Sequence, residues 1–345
     1  METLSRQRAV VNELSAAAAG AGGGPVADCR AWAAVARQCH TFLRHLGPWA
    51  ASAGFDPSLP DVEEHRRALQ ETGGRAAREE ATFPAAVRDR AHAGLGLRLA
   101  VVGKGGAGKT FLTASVARFL ARRGRRVLAV DLDTNPGLAY SLGLGPTDAS
   151  LPTQAVEPRA GANYGWQLAA GLTPADAVRR YSLTGPEGVR VLTVGKIDTL
   201  DKGAAKRTVA AMVQLLLGFG APDWDVLADL EAGPTTPFER YHAFADDVAV
   251  VVGPAWRSAL TARRLLPMVG PRRAWIVANR FRDEPDHPGL ASFARIPFDP
   301  CVAIAERRGR APIDACLASP ALSAVDDMTA RLLAATSATT RRAAS

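Results

Sequence analysis

The amino-acid sequence predicts an α/β fold in which a mostly parallel, twisted sheet is covered by helices on both faces. Short apolar runs typical of buried strands alternate along the chain with stretches that have the periodicity of helices. The clearest of these runs are residues 99–102, 127–130, 224–228, 247–252 and 274–278. A polar or glycine residue follows each run, and in such a sheet a ligand is expected just outside the carboxyl ends of the strands.

Size and composition set the outer limits of the prediction. The 345 residues, 47% of them hydrophobic, suffice for one large α/β domain and an accessory segment. No apolar run approaches the roughly 18 residues of a membrane span, and the basic residues near Met1 are not followed by a long apolar region. We therefore expect a cytoplasmic protein without a secretory signal, whose four cysteines are reduced. These are Cys29, Cys39, Cys301 and Cys316.

A glycine-rich loop follows the first predicted strand. Residues 103–110 read Gly-Lys-Gly-Gly-Ala-Gly-Lys-Thr and lead into a helical stretch, so the pattern G-x-x-x-x-G-K-[ST] is matched in its strand–loop–helix context. The glycines let backbone amides turn toward phosphate oxygens, and the helix amino terminus adds its dipole. We expect a nucleoside triphosphate here, with Lys109 reaching the β- and γ-phosphates and Thr110 binding Mg²⁺.

Carboxylates follow the next two strands of the predicted sheet. Asp131 and Asp133 come directly after the second strand, and Asp229 follows the run at 224–228. Carboxylates at strand ends can organise a cation and a nucleophile, whereas the segment Asp-Leu-Asp-Thr-Asn-Pro-Gly taken alone would indicate only a turn. Its position after the strand that follows the glycine loop favours the functional interpretation.

A second lysine in the loop, Lys104, indicates a family. The run at 103–110 resembles the deviant Walker A motif of the MinD/ParA/nitrogenase-iron-protein superfamily, and the resemblance extends from Arg98 to about Ala315. It implies a P-loop ATPase that forms a face-to-face homodimer around ATP and Mg²⁺. It also implies that Lys104 reaches the phosphates of the nucleotide in the partner subunit, whereas a surface lysine beside an ordinary loop is the simpler alternative.

The resemblance assigns roles to further residues. Asp131 would bind Mg²⁺ through water, Asp229 would make the second acidic contact, and Asp133 would orient the attacking water. Asn279 would read adenine through its amide, although alone it would be equally typical of a strand-end cap. The predicted catalytic residues are Lys104, Lys109 and Asp133, and the predicted Mg²⁺ contacts are Thr110, Asp131 and Asp229. The predicted nucleotide contacts are Gly103, Gly105, Gly106, Ala107, Gly108, Lys109, Thr110, Phe111, Gly233, Asn279, Arg280, Pro297, Phe298 and Asp299.

Within the superfamily, two segments most resemble the CooC-type accessory ATPases of carbon monoxide dehydrogenase. These are Val-Leu-Thr-Val-Gly-Lys-Ile at 191–197 and Asp-Leu-Glu-Ala-Gly at 229–233. The C-x-C pair of that branch is missing, because the chain has no cysteine between Cys39 and Cys301. This departure argues against transition-metal carriage and against an iron–sulfur cluster. Phe111 is a second departure, since the usual Thr or Ser hydroxyl is lost at a cost of about 1 kcal/mol of nucleotide affinity.

The rest of the chain is predicted to flank this ATPase domain, which we place at 96–334. Residues 1–95 do not resemble the family and are predicted to be a partly flexible helical extension. A tail at 335–345 is predicted to be disordered. The extension should contain helices at 29–46, 61–70 and 84–92, with an Ala/Gly-rich joint at 16–25. Cys29 and Cys39 are interpreted as buried helix thiols, because their spacing from His40 and His45 fits no zinc pattern.

Net charge is +8 and the pI is about 9.8, which can favour nucleic acid as a partner. The densest basic cluster falls at the end of the helix after the glycine loop, where arginines stabilise a helix carboxyl terminus. We interpret it as a solvated helix end in preference to a DNA-binding patch. The cluster comprises Arg118, Arg122, Arg123, Arg125 and Arg126.

These observations favour an ATP-hydrolysing dimeric switch that acts on a client protein and turns over slowly without it. One alternative is a partition or positioning ATPase acting on DNA or a membrane. The other is a non-catalytic regulator that binds ATP as a structural ligand.

Overall fold

The computed structural model describes residues 2–52, 56, 58–133, 135–145, 151–158, 166–194, 202–233, 244–269 and 273–343. The predicted Gly-Lys segment at 195–197 lies outside these ranges.

A central sheet organises the described part of the chain. Its strands and one separate strand pair are β1 (Arg98–Gly103), β2 (Arg126–Leu132), β3 (Val156–Pro158), β4 (Trp166–Leu168), β5 (Leu183–Thr184), β6 (Arg190–Thr193), β7 (Trp224–Leu230), β8 (Asp247–Val252), β9 (Arg273–Phe281) and β10 (Ala294–Pro297). Eight of them form the sheet in the order β10-β9-β8-β1-β7-β2-β6-β5, and β3 and β4 pair separately. All neighbours in the sheet are parallel except β5, which runs antiparallel to β6.

Helices connect the strands and precede them. They are α1 (Glu2–Ala19), α2 (Pro25–Ser52), α3 (Pro60–Ala81), α4 (Ala85–Ala93), α5 (Lys109–Arg122), α6 (Leu138–Ser141), α7 (Pro174–Tyr181), α8 (Lys202–Gly218), α9 (Trp256–Val269), α10 (Pro300–Arg307), α11 (Pro312–Ala315) and α12 (Pro320–Ala343). Among those described, none combines the length and apolar character needed to cross a membrane.

The middle strand β1 shows how the core is divided between the two faces of the sheet. Leu99 and Val101 pack in the cluster that contains α5 and α12, whereas Ala100 and Val102 pack in the cluster that contains α8 and α9. Because successive side chains of a strand point to opposite faces, β1 is buried under helices on both sides. The predicted fold class is confirmed, and β1 delivers the glycine loop to the carboxyl edge of the sheet.

The amino-terminal extension is helical, as predicted, and packs against the rest of the fold. It has its own apolar core around Val35, Phe42 and Leu69. Helix α2 also donates hydrogen bonds to residues outside the extension, from Arg37 Nη1 to the Gly96 carbonyl (2.9 Å) and from Gln38 Nε2 to the Leu217 carbonyl (3.1 Å). These contacts attach the extension at the amino-terminal edge of the sheet.

Helix boundaries in the extension differ from the prediction. The helix predicted at 61–70 is part of the longer α3, which continues through Gly73 and Gly74. A side chain at Gly73 would place its Cβ 3.0 Å from the Cβ of Cys39, so tight packing on α2 explains that glycine within a helix. The predicted joint at 16–25 includes the end of α1, and residues 20–24 connect α1 to α2.

The four cysteines divide into two classes, which corrects the expectation that all of them are reduced. Cys301 and Cys316 form a disulfide, because α10 and α11 bring their Cα atoms within 5.9 Å. Cys29 and Cys39 are buried free thiols, as predicted, and burial raises their pKa to about 11 and about 12. The described residues contain no cluster of three or more His, Cys, Asp or Glu side chains suited to a metal.

The disulfide should stabilise the part of the fold that contains α10 and α11. It closes a loop with a sequence separation of 15, for which the loss of chain entropy in the unfolded state corresponds to about 3 kcal/mol. Reductant should therefore lower the free energy of unfolding of the wild-type protein by about this amount in urea titrations. A Cys301→Ser/Cys316→Ser variant should show the lower value with and without reductant. Equal stability of oxidised and reduced wild-type protein would contradict this role.

Helix α12 corrects the prediction of a disordered tail. It runs from Pro320 to Ala343, so residues 335–343 are helical. Leu332 and Thr336 are buried, and Arg273 Nη1 donates a hydrogen bond to the Ala335 carbonyl (2.9 Å). Buried side chains and a hydrogen bond from Arg273 thus hold this part of a helix whose sequence alone is weakly patterned.

The arginine cluster at the end of α5 is also less solvated than predicted. Arg118 is buried and forms ion pairs with Glu187 and Asp314, while Arg125 pairs with the fully buried Asp225. The remaining pairs are Arg122 with Glu187, Arg123 with Asp326, and Arg126 with Asp223. Acidic partners from distant elements therefore neutralise the cluster, and it offers little charge to nucleic acid.

Candidate functional site

The glycine loop between β1 and α5 has a backbone that only glycines adopt readily. Gly103 and Gly108 have φ angles of 155° and 94°. A Cβ at Gly103 would lie 2.5 Å from the Val251 carbonyl oxygen, and one at Gly108 would lie 2.1 Å from Asn279 Nδ2. Gly108 is also the N-cap of α5, so the loop directs backbone amides and a helix amino terminus at the same point. The chain therefore builds a cradle suited to phosphate.

Two lysines flank this cradle. Lys109 is the first residue of α5 and is 7% exposed, while Lys104 is half-buried beside the exposed Gly105 and Gly106. In the part of the chain that the structure describes, neither lysine side chain forms a hydrogen bond or ion pair with another residue. Both ammonium groups can therefore bind an anion without breaking a contact described within the chain.

Thr110 and Asp229 meet at the floor of the site. Thr110 Oγ1 donates a 2.6 Å hydrogen bond to Asp229 Oδ2, and Asp229 is 1% exposed. Its other oxygen, Oδ1, is buried and has no hydrogen-bond partner among the described residues. A buried carboxylate oxygen without a partner is costly, and a hydroxyl with a carboxylate is a donor set that suits Mg²⁺. The residues present therefore fit a divalent cation.

Asp131 lies beside Asp229, because β2 and β7 pair in parallel with these two residues in register. Its carboxylate accepts hydrogen bonds from the backbone amides of Asp133 (3.0 Å), Gly137 (2.9 Å) and Leu138 (2.9 Å). Burial raises the pKa of Asp131, and the three amides oppose that shift. Burial also raises the pKa of Asp229, and the Asp131 carboxylate raises it further. Asp131 thus shapes the turn after β2 and adds negative charge beside Asp229.

Asp133 and Gly233 lie on the two loops that follow these strands. Asp133 is half-buried, and its Oδ1 accepts a 2.8 Å hydrogen bond from the amide of Asn135. The amide of Gly233 donates to the Gly103 carbonyl at 3.3 Å. The predicted contact between Gly233 and a γ-phosphate would require this amide to leave Gly103.

A cavity of about 220 Å³ lies between α5, the end of β9 and α10. Several of the predicted nucleotide contacts line it, and Phe111 is 3% exposed at its wall. Asn279 Nδ2 donates a 2.7 Å hydrogen bond to the Ala107 carbonyl, which ties β9 to the glycine loop. The lining residues predicted from sequence are Phe111, Asn279, Arg280, Pro297, Phe298 and Asp299.

Arg280 links the cavity to the glycine loop. Its φ angle is 65°, which is unusual for a residue with a side chain. Nη1 donates to the Gly106 carbonyl (3.1 Å), and Nη2 donates to Glu306 Oε2 (3.0 Å). Glu306 was not anticipated from the sequence, since nothing local marks a glutamate in α10 as the partner of an arginine near the end of β9. Its location seven residues after the predicted nucleotide contact Asp299 was the only signal that could have placed it near this site.

Comparisons with known proteins agree with this geometry. The family model of the CobQ/CobB/MinD/ParA nucleotide-binding domain matches residues 99–313. An uncharacterised ATP-binding protein of Methanocaldococcus jannaschii is 25% identical over 234 residues, which cover 62% of this chain and 90% of that protein. The carbon monoxide dehydrogenase accessory protein CooC of Rhodospirillum rubrum is 28% identical over 233 residues, which cover 62% of this chain and 88% of CooC.

Solved structures show a similar fold. The septum site-determining protein MinD of Pyrococcus horikoshii, solved with Mg-ADP, has a TM-score of 0.52 and 19% identity over 69% of this chain and 96% of its own. The MinD cell division protein of Aquifex aeolicus has a TM-score of 0.50 and 25% identity over 68% of this chain and 96% of its own. The amino-terminal helices α1 to α4 lie outside the range that the family model matches.

Proposed function

The chain belongs to the CobQ/CobB/MinD/ParA nucleotide-binding family, and from that premise we propose that it is an ATPase that works as a dimeric switch on a client protein. The observation that carries the proposal is the convergence of three features: the glycine cradle, the Lys109 ammonium, and the buried Asp229 Oδ1, which has no hydrogen-bond partner among the described residues. Two of its relatives are an ATP-binding protein and an enzyme accessory protein, which supports both ATP as the ligand and action on another protein.

The proposed reaction is attack of water on the γ-phosphorus of ATP, which breaks the bond to the β–γ bridging oxygen and yields ADP and phosphate. Lys109 and the backbone amides of the loop bind the β- and γ-phosphates and stabilise the charge that develops there. Asp133 holds the attacking water, and Lys104 completes the phosphate site of a partner subunit. Because the chemistry consists largely of positioning, the rate depends on whether the second subunit is in place.

Thr110 and Asp229 would hold Mg²⁺, with Asp131 behind them. When bound there, the cation neutralises phosphate charge and offsets the repulsion between the two buried carboxylates. With or without the cation, Asp131 orders the turn that positions Asp133, because its carboxylate accepts hydrogen bonds from three backbone amides of that turn.

A regulator that binds ATP without hydrolysing it is the second candidate function. Phe111 favours this function. It follows Thr110, at a position where the family usually has a Thr or Ser hydroxyl, and its apolar side chain lies at the wall of the cavity between α5, β9 and α10. A DNA-binding switch receives less support, since the arginine cluster on α5 is neutralised by acidic partners.

Asp133→Asn tests which of the two functions applies. Asparagine retains an oxygen that can accept the Asn135 amide but loses the carboxylate that holds the water. We expect phosphate release at saturating ATP to fall about 100-fold, which is typical when a proton-accepting group is lost. The affinity for ATP should stay within about twofold, because no binding contact is removed.

The rate of phosphate release and the ATP affinity by calorimetry are measured on both proteins. A wild-type rate equal to that of Asp133→Asn, with intact ATP binding, would favour the regulator over the ATPase.

A further inference from the structure

A cavity of about 450 Å³ lies between the helical extension and the ATPase domain. Residues from α2 and α3 form most of its wall, and Asp246 and Arg273 close it at the amino-terminal ends of β8 and β9. We call it the joint cavity. It lies at the edge of the sheet opposite the glycine loop, and its volume falls in the range of small-molecule sites.

The wall of the joint cavity is mainly apolar. Ala36 and Leu43 contribute from α2, while Leu69 and Ala77 contribute from α3. Gly74 also lines the cavity, although glycine inside a helix costs about 1 kcal/mol relative to alanine. A Cβ at Gly74 would meet only the end of the Arg78 side chain within 4 Å, at 3.5 Å, so close packing does not explain this glycine. The space beside Gly74 is therefore largely open.

Positive charge is in excess at the closed end. The Arg37 and Arg44 guanidinium groups share a single carboxylate, Asp246, at the long distances of 3.8 Å and 3.4 Å. Arg273 also lines the cavity, but Asp247 engages it through two hydrogen bonds of 2.7 Å. Of the three arginines and two aspartates, one positive charge is therefore left without a carboxylate of its own.

Two further groups at this end favour an anion. Arg44 Nε is buried and has no hydrogen-bond partner among the described residues. His40 also lines the cavity, where burial, followed by the charge of Arg44, lowers its pKa, and its ring can donate a hydrogen bond. Glu80 is the other acid at the wall, and it is paired with His92.

We propose that the joint cavity binds a small amphipathic carboxylate, whose apolar body lies along α2 and α3 and whose carboxylate binds Arg37 and Arg44. The apolar wall removes the body of such a ligand from water, and the carboxylate supplies the acceptor that Arg44 Nε lacks. The site is independent of the proposed ATPase activity, because none of its lining residues belongs to the glycine loop or to the cavity between α5, β9 and α10.

The experiment uses the full chain and two probes, the fluorescent anion 8-anilinonaphthalene-1-sulfonate and decanoate. Emission of the fluorescent anion should rise saturably with one site per chain, and decanoate should displace it. Decan-1-ol, which has the same chain length without charge, should displace it at least tenfold more weakly. Equal displacement by the acid and the alcohol would overturn the role of the arginines.

Variants locate the site. Arg44→Gln should weaken displacement by decanoate about tenfold or more, whereas Arg44→Lys should retain most of it. Arg67→Gln, on the exposed face of α3, is the matched control and should behave as wild type. Unchanged decanoate binding in Arg44→Gln would contradict the proposal.

Ala77→Phe tests ligand binding without unfolding the protein. The phenyl ring should fill the cavity, and phenylalanine is tolerated in a helix. It should abolish the fluorescence increase while the near-ultraviolet circular dichroism stays native. Full probe binding in folded Ala77→Phe would overturn the joint cavity as the site. Lys109→Met should bind decanoate normally, so failure of the ATPase proposal would leave this result unaffected.

Discussion

Replacing Lys109 with methionine is expected to weaken ATP binding about 100-fold while the protein stays folded. The lysine lies at the first position of α5 and, in the part of the chain that the structure describes, its side chain makes no hydrogen bond or ion pair. Methionine keeps the apolar stem in this buried position but removes the charge. Charged hydrogen bonds to phosphate contribute about 3 kcal/mol at the upper end, which corresponds to roughly two orders of magnitude in affinity.

Calorimetric titration with ATP and Mg²⁺ measures this loss, and thermal unfolding without nucleotide checks the fold. Lys104→Met is the matched comparison, because it removes the same charge five residues earlier in the same loop. Equal ATP affinity in wild type and Lys109→Met would contradict the position assigned to the phosphates.

Lys104→Met is expected to leave ATP affinity within about threefold of wild type but to abolish the ATP-dependent dimer. Lys104 lies in the loop beside two exposed glycines, and we propose that its side chain reaches a second subunit. If it completes the phosphate site of that subunit, its loss should also lower hydrolysis about 100-fold or more, as for charged groups supplied in trans to a phosphoryl transfer.

Sedimentation velocity with ATP and Mg²⁺ measures the dimer. The comparison is made in an Asp133→Asn background, so that the nucleotide is not consumed during the run. Lys109→Met should fail to dimerise because it fails to bind, whereas Lys104→Met should fail despite binding. An unchanged dimer in Lys104→Met would refute the role across the interface.

The parts of the site that follow from local pattern were predictable. The glycine loop could be identified from the fixed residues of its sequence motif. The parallel sheet explains why Asp131 and Asp229 lie side by side, since the carboxyl ends of neighbouring strands share one edge. The nucleotide contacts predicted near the ends of β9 and β10 do line one cavity.

The parts that depend on distant contacts were not predictable. Nothing near Arg280 indicated Glu306, and nothing near Arg118 indicated Glu187 or Asp314, so arginines that pair with distant carboxylates were interpreted as a solvated helix end. The disulfide was not predicted either, because it depends on the approach of α10 and α11 in the folded chain. A pair of residues far apart in sequence leaves no periodic signal.

Contacts between helices also set helix lengths that the local sequence did not predict. The helix predicted at 61–70 is longer in the structure, where α3 continues through Gly73 and Gly74, and Gly73 packs closely against Cys39 on α2. The amino-terminal helices therefore form a more continuous layer than the sequence indicated, and the joint cavity lies within it.

Isothermal titration of the wild-type protein with ATP in the presence of Mg²⁺ examines the nucleotide site most directly. We expect one ATP per chain, with affinity that falls when Mg²⁺ is withdrawn, because Asp229 and Thr110 then face the phosphates without a cation between them. Folded protein that takes up no adenine nucleotide under these conditions would contradict the site, the switch and the reaction together.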